Sequence, residues 1–146
     1  MTILVVGTNA EWESESYDRD DMCLPPGSNE LVRAVLQAQP HTIVVNQSGM
    51  PVELPWINQA PAVIQAFFGG NECGTGIADV LFGVVEPRGR LPITWPVNYG
   101  QVRGQETFGG SQPTVYAEGL QVGYRRQDAP LFAFGHGLAY TQFNYS

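Results

Sequence analysis

Thr2-Ile3-Leu4-Val5-Val6-Gly7 and Thr42-Ile43-Val44-Val45 are continuous apolar runs without polar alternation. Such runs, rich in β-branched residues, suit strands of a parallel sheet covered on both faces. Residues 62–68 form a third apolar segment, broken by Gly69-Gly70. Between the first two runs the spacing predicts a helix from Ser28 to about Gln39. Pro25-Pro26-Gly27 closes the preceding loop, Ser28 or Asn29 can cap the helix, and Leu31, Val32, Val35 and Leu36 recur at helical spacing. A short helical stretch is expected near Trp56 and a second helix over residues 71–82, with Ile77, Ala78, Leu81 and Phe82 on one side. Alternating strands and helices read as an α/β fold, a mostly parallel sheet with helices on both faces. From Pro87 onward Gly, Pro and aromatic residues replace the helical patterns. Pro92 and Pro96 keep the stretch around Trp95 extended. Residues 98–114 read as a polar surface loop, and the aromatic-rich tail from Tyr116 as an extended C-terminal wrap. The whole, residues 1–146, reads as a single domain.

Composition excludes several classes of function. Seven positive charges stand against 14 Asp plus Glu, a net charge of -7 over 146 residues. So acidic a chain does not track a phosphate backbone, and it has no basic face for anionic lipid, so neither nucleic acid nor membrane is an expected partner. All the positive charges are Arg. Without Lys there is no phosphate-binding loop of the usual kind and no Schiff-base chemistry. No apolar run approaches the ~20 residues of a membrane span. The opening run has no basic leader and is too short for a secretory signal; a start directly on a core strand suggests a piece of something larger. Cys23 and Cys73 allow one disulfide or two free thiols, and their spacing does not resemble a zinc site. His41 and His136 are far apart, so a metal centre would have to be built from carboxylates, and none is expected.

The chemistry concentrates in the first loop. Glu11-Trp12-Glu13-Ser14-Glu15-Ser16-Tyr17-Asp18-Arg19-Asp20-Asp21 holds six carboxylates in eleven residues. It follows the C-terminal end of a predicted parallel strand, where open α/β sheets bind ligands. Crowded carboxylates raise the pKa of at least one of their number, and a carboxyl held protonated near neutral pH can act as a general acid. Arg19 can neutralise a neighbour, Asp18 first, and fix the loop. On composition alone, a solvated acidic loop without a catalytic role is the heavier reading. Gly69-Gly70-Asn71-Glu72-Cys73-Gly74-Thr75-Gly76 could cradle a phosphate at a helix start, but Glu72 disfavours one, and the glycines read better as close packing of helix on strand. His136, between two glycines, reads as structural. Asn46-Gln47-Ser48 and Asn144-Tyr145-Ser146 match the glycosylation sequon. The first falls at a buried strand end, which leaves the second as the candidate.

Taken in order, the motifs resemble the C-terminal α/β-sandwich domain of family 3 glycoside hydrolases, β-glucosidases in particular. They are Glu11-Trp12-Glu13-Ser14-Glu15 with Asp18-Arg19, Met22 and Leu24-Pro25, then Gln47-Ser48-Gly49-Met50-Pro51-Val52 with Pro55-Trp56. Gly69-Gly70-Asn71-Glu72 with Ile77-Ala78-Asp79-Val80-Leu81-Phe82-Gly83 follows, and then Gly89-Arg90-Leu91-Pro92-Ile93-Thr94-Trp95-Pro96. Tyr116-Ala117-Glu118-Gly119-Leu120, Gly123-Tyr124-Arg125 and Phe132-Ala133-Phe134-Gly135-His136-Gly137-Leu138-Ala139-Tyr140-Thr141 close the series. The resemblance implies a retaining, exo-acting enzyme with a two-domain active site. An (α/β)8-like barrel, absent from this chain, supplies an Asp nucleophile, and the sandwich domain supplies the acid/base. That acid precedes the Asp-Arg pair, which maps it to Glu15. The resemblance also puts Trp12 and Glu13 in the sugar-binding wall and gives Asp18 and Arg19 the ordering of the loop. It implies a β-glucoside or oligosaccharide substrate such as cellobiose, no cofactor, and an extracellular parent active in polysaccharide breakdown. The start on a strand resembles members in which a separate module interrupts this domain. Ser16 departs from the Gly that usually follows the acid, Cys23 from a small or acidic residue, and Cys73 from Ala.

Two other readings stand beside this one. A truncated structural or sugar-binding domain would keep the fold and lack the chemistry. A nucleotide-binding α/β domain is weakened by the absence of Lys and of a Gly-x-Gly-x-x-Gly after the first strand.

Overall fold

The computed structural model describes residues 1–104, 108, 109, 111, 113–126 and 129–144. They form two compact units, residues 1–84 and 85–146.

The first unit is built on three parallel strands in the order β1-β2-β3: β1 (Thr2–Gly7), β2 (Thr42–Gln47) and β3 (Ala62–Gln65). Thr2 to Gly7 lie beside Thr42 to Gln47, and Ile43 to Asn46 beside Ala62 to Gln65. Parallel neighbours need a crossover. Helix α1 (Ser28–Ala38) provides it between β1 and β2 and lies against both. Its buried residues, Val32 and Leu36, are four apart on one face. Helix α2 (Cys73–Leu81) follows β3 after a 3-10 turn over Gly70–Glu72. The expected turn near Trp56 is a 3-10 turn, Ile57–Gln59.

β2, the central strand, buries Thr42, Val44, Val45 and Asn46, as its uninterrupted apolar run requires. β1 lies at the sheet edge, where Ile3 and Val5 stay exposed while Val6 is buried. The core closes around Met22, Leu24, Val52, Leu54 and Trp56. The fully buried Trp56 donates its indole N–H to Asn29 Oδ1 at 2.9 Å.

Several local expectations are corrected. Neither Ser28 nor Asn29 caps α1; the cap is Gly27 in the left-handed region (φ 84), and the Asn29 side chain serves Trp56 instead. β3 ends at Gln65, not at Phe68. Ala66 N–H still bonds the Asn46 carbonyl, but Phe67 turns to φ 53, which no strand continues through. Phe82 is exposed, and Gly74 and Gly76 face open space rather than a tightly packed strand. Of that glycine group, Gly70 takes a positive φ and Gly69 crowds Cys73. Both cysteines are free thiols.

The second unit is irregular. Residues 91–95 run antiparallel to 132–136, through Leu91 N–H to the His136 carbonyl, Gly135 N–H to the Leu91 carbonyl and a Trp95–Phe132 bridge. Trp95 is buried. His136 stacks on Phe132 and Tyr124 on Phe134, which gives His136 a packing role. Among the described residues no helix is long and apolar enough to cross a membrane.

Glu86 fastens the tail of this unit. Its carboxylate accepts the Thr141 N–H at 2.6 Å and faces Arg88 at 3.9 Å. Hydrogen bonds from the Thr141 side chain and backbone hold its pKa below the usual carboxylate range. A depressed folded pKa stabilises the docked tail above the unfolded value and ceases to do so as pH falls through the folded one. An NMR titration is therefore expected to give Glu86 a midpoint below that of a free Glu. The protection of the Thr141 amide, taken relative to its intrinsic exchange rate at each pH, should fall over that acidic window, and Glu86→Gln should remove that fall.

Candidate active site

The C-terminal ends of the three strands lead into the loop after β1, into Gly49 after β2 and into Phe67-Phe68 after β3. Asn9 starts the first loop as a tight turn. Its carbonyl accepts the N–H groups of Trp12 and Glu13, both at 2.9 Å, and its side chain accepts that of Glu11. The turn directs Glu13 back to the strand end. Glu13 Oε1 accepts the Thr8 hydroxyl hydrogen bond and the Gly49 N–H at 3.2 Å, and Arg19 Nη1 stands 3.8 Å away. Its side chain is 9% exposed. A Cβ added at Gly49 would lie 2.7 Å from Glu13 Oε2 and 2.8 Å from the Phe68 ring. Carboxylate, glycine and aromatic ring therefore meet at one point.

The far end of the loop is fixed separately. Met22 and Leu24 are buried, and the Met22 carbonyl accepts the Glu53 N–H at 2.8 Å. Arg19 donates to the Cys23 carbonyl and faces Asp21 at 3.7 Å. Partial burial, and then the charges of Asp21 and Glu53, push the Cys23 thiol up. Between these anchors, residues 14–18 are exposed.

Each residue singled out from sequence now has a place. Glu15 is exposed, two residues beyond the half-buried Glu13. Trp12 is half-buried in the Asn9 turn. The six carboxylates do not share one environment. Glu13 turns inward and Asp21 meets Arg19, while Glu11, Glu15, Asp18 and Asp20 are exposed. The expected Asp18–Arg19 pair is corrected: Arg19 faces Glu13 and Asp21, and Asp18 is exposed, with no ion pair among the described residues. A half-buried carboxylate is screened less than a solvated one and attracts the guanidinium more strongly. Sequence reasoning gave no role to Thr8, Gly49 or Phe68; a glycine at the C-terminal end of a parallel strand was the available signal for Gly49.

Asn46, by contrast, is sealed in. It is fully buried, and its amide donates to Ser48 Oγ at 2.9 Å and to Gln65 Oε1 at 2.6 Å, so it is no glycosylation acceptor. Asn144 is exposed, and the remainder of its sequon, Tyr145 and Ser146, lies outside the described residues. The second unit contains an open cavity of about 530 Å³, lined among others by Tyr99, Phe108 and Tyr116, that shares no residue with the loop. Among the described residues no group of three or more His, Cys, Asp or Glu is placed to hold a metal ion.

Residues 1–140 match the family model described as the glycosyl hydrolase family 3 C-terminal domain. The chain belongs to that family. It is 50% identical over its whole length to Probable beta-glucosidase I of Aspergillus fumigatus, and 50% identical to Probable beta-glucosidase J of Emericella nidulans. It spans only 18% of the length of either relative. Among solved structures, the beta-glucosidase from Kluyveromyces marxianus in complex with glucose superposes with a TM-score of 0.90 at 47% identity, covering 97% of this chain and 18% of that one. DesR, a beta-glucosidase from Streptomyces venezuelae in complex with D-glucose, gives a TM-score of 0.86 at 36% identity, covering 97% of this chain and 19% of its own.

Within this family fold the departure at Ser16 has a physical cost. Ser16 takes φ 72, the left-handed region that favours glycine. Ser16→Gly is expected to stabilise the domain by about 1 kcal/mol. Gly49→Ala drives a methyl into Glu13 and Phe68, and is expected to destabilise it by about 1–3 kcal/mol. Urea midpoints of the two variants measure both; equal midpoints would remove the packed Glu13–Gly49–Phe68 junction.

Proposed function

We propose that the chain supplies the general acid/base, Glu15, to a retaining exo-acting β-glucosidase whose nucleophile comes from residues outside this sequence. The observation that carries this reading is the first loop. Its two ends are anchored, and Glu15 stands exposed between them at the C-terminal edge of a parallel sheet. The β-glucosidases it resembles, some of them solved with glucose, support a glycoside substrate. In a retaining mechanism one carboxylate attacks the anomeric carbon while the other, about 5–5.5 Å away, protonates the leaving oxygen and later deprotonates water. In this assignment Glu15 does both proton transfers, Trp12 contributes to the sugar-binding wall, and the partner carboxylate comes from a barrel. The same reading assigns the whole protein to extracellular breakdown of cellobiose or β-glucan, with Asn144 as its candidate glycosylation position.

The test uses a chimera in which this chain replaces its matching segment in the Kluyveromyces marxianus enzyme. Glu15→Ala is expected to lower kcat/KM on cellobiose about 10²–10⁴-fold, the usual worth of general acid catalysis. A dinitrophenyl β-glucoside, whose leaving group needs no proton, should be nearly spared in kcat/KM, and azide should restore turnover. Equal losses on both substrates would count against Glu15. The 146-residue chain alone is expected to release no phenol from aryl β-glucosides; turnover that vanishes in Glu15→Gln would place the second carboxylate within this sequence.

A further inference from the structure

We infer that Glu13 is a positioning residue, neither a sugar ligand nor the acid: it ties the first loop to the ends of β1 and β2 and so sets the place of Glu15. The inference rests on the assignment of Glu15 above. Glu13 Oε1 is occupied by the Thr8 hydroxyl and the Gly49 N–H and is faced by Arg19. Oε2 lies over Gly49, where a Cβ would come within 2.7 Å of it. With 9% of the side chain exposed, little of this carboxylate is left for a substrate. Thr8 follows β1 directly, Gly49 comes two residues after β2, and Arg19 lies beyond Glu15 in the same loop. One carboxylate therefore clamps the chain on both sides of Glu15 to a rigid sheet edge. Only Ser14 separates the clamp from Glu15, so the backbone of Glu15 starts from a fixed point. Displacing a reacting group by about 1 Å can cost around 10²-fold in rate.

The test is made in the same chimera with Glu13→Ala and Glu13→Gln, beside Glu15→Ala. Expected for Glu13→Ala is a loss of about 10²-fold in kcat/KM on cellobiose, with the dinitrophenyl β-glucoside nearly spared. Glu13→Gln keeps an acceptor for Thr8 and Gly49 and should recover most of that loss. Equal losses on both substrates would make Glu13 a sugar ligand or a purely structural residue and overturn the inference. A Gln variant as poor as the Ala variant, on cellobiose alone, would make Glu13 the acid and overturn it too, as would unchanged kinetics in Glu13→Ala. If Glu13→Ala does not fold, Glu13→Gln decides. Retention of cellobiose turnover within about tenfold supports positioning, and a loss approaching 10²–10⁴-fold opposes it. Failure of Glu15→Ala to discriminate between leaving groups would instead sink the assignment of Glu15, independently of the Glu13 result.

Discussion

The half-buried carboxylate of Glu13 is the constraint on which the site depends. A carboxylate taken out of water is costly unless it is hydrogen-bonded and paired. Here a hydroxyl, a backbone N–H and a guanidinium compensate it together. Hydrogen bonds to a charged group contribute about 1.5–3 kcal/mol each. These bonds fasten the first loop to the residue after β1, whose own N–H continues the ladder to the Gln47 carbonyl, and to the glycine beyond β2. The loop therefore leaves the sheet in one direction. Its second anchor, Met22 and Leu24 in the core, returns it to α1.

The sheet beneath makes such a clamp possible. Parallel register brings Gly7 level with Gln47, so the loops after β1 and β2 emerge side by side. Gly7 sits so close to the Gln47 carbonyl that a Cβ would collide with it. Glycine is again required at Gly49, where Glu13 and Phe68 converge. Small residues at two strand ends thus let the backbone and one carboxylate approach closely, and the charged loop is built on that contact.

Much of the scaffold could be read from residue patterns. Uninterrupted apolar runs identified β1 and β2, and the helical spacing of Leu31, Val32, Val35 and Leu36 identified α1; of these four Val32 and Leu36 are buried, Val35 is half-buried and Leu31 is exposed. The errors arose where a polar side chain had more than one possible partner. Asn29 could have capped α1 but reaches Trp56. Arg19 could have paired with Asp18 beside it but turns to Glu13 and Asp21. Trp56 lies 27 residues from Asn29 and is brought to it by tertiary packing, whereas the partners of Arg19 lie in its own loop, whose path decides which neighbouring carboxylate it meets. By composition alone the six loop carboxylates were equivalent, and it was the family resemblance that singled out Glu15. That Glu13 turns inward while Glu15 stays exposed is visible only in the fold. The strained φ of Ser16 was foreshadowed by its replacement of a glycine; that of Phe67, which ends β3 early, had no such signal.

The most direct measurement is a crystal structure of the chimera with a fluoroglucoside trapped on its nucleophile. Expected is a Glu15 carboxyl about 5–5.5 Å from the nucleophilic carboxylate, with Glu13 still bonded to Thr8 and Gly49. A Glu15 side chain remote from the trapped sugar, or Glu13 in its place against the anomeric centre, would contradict the assignment.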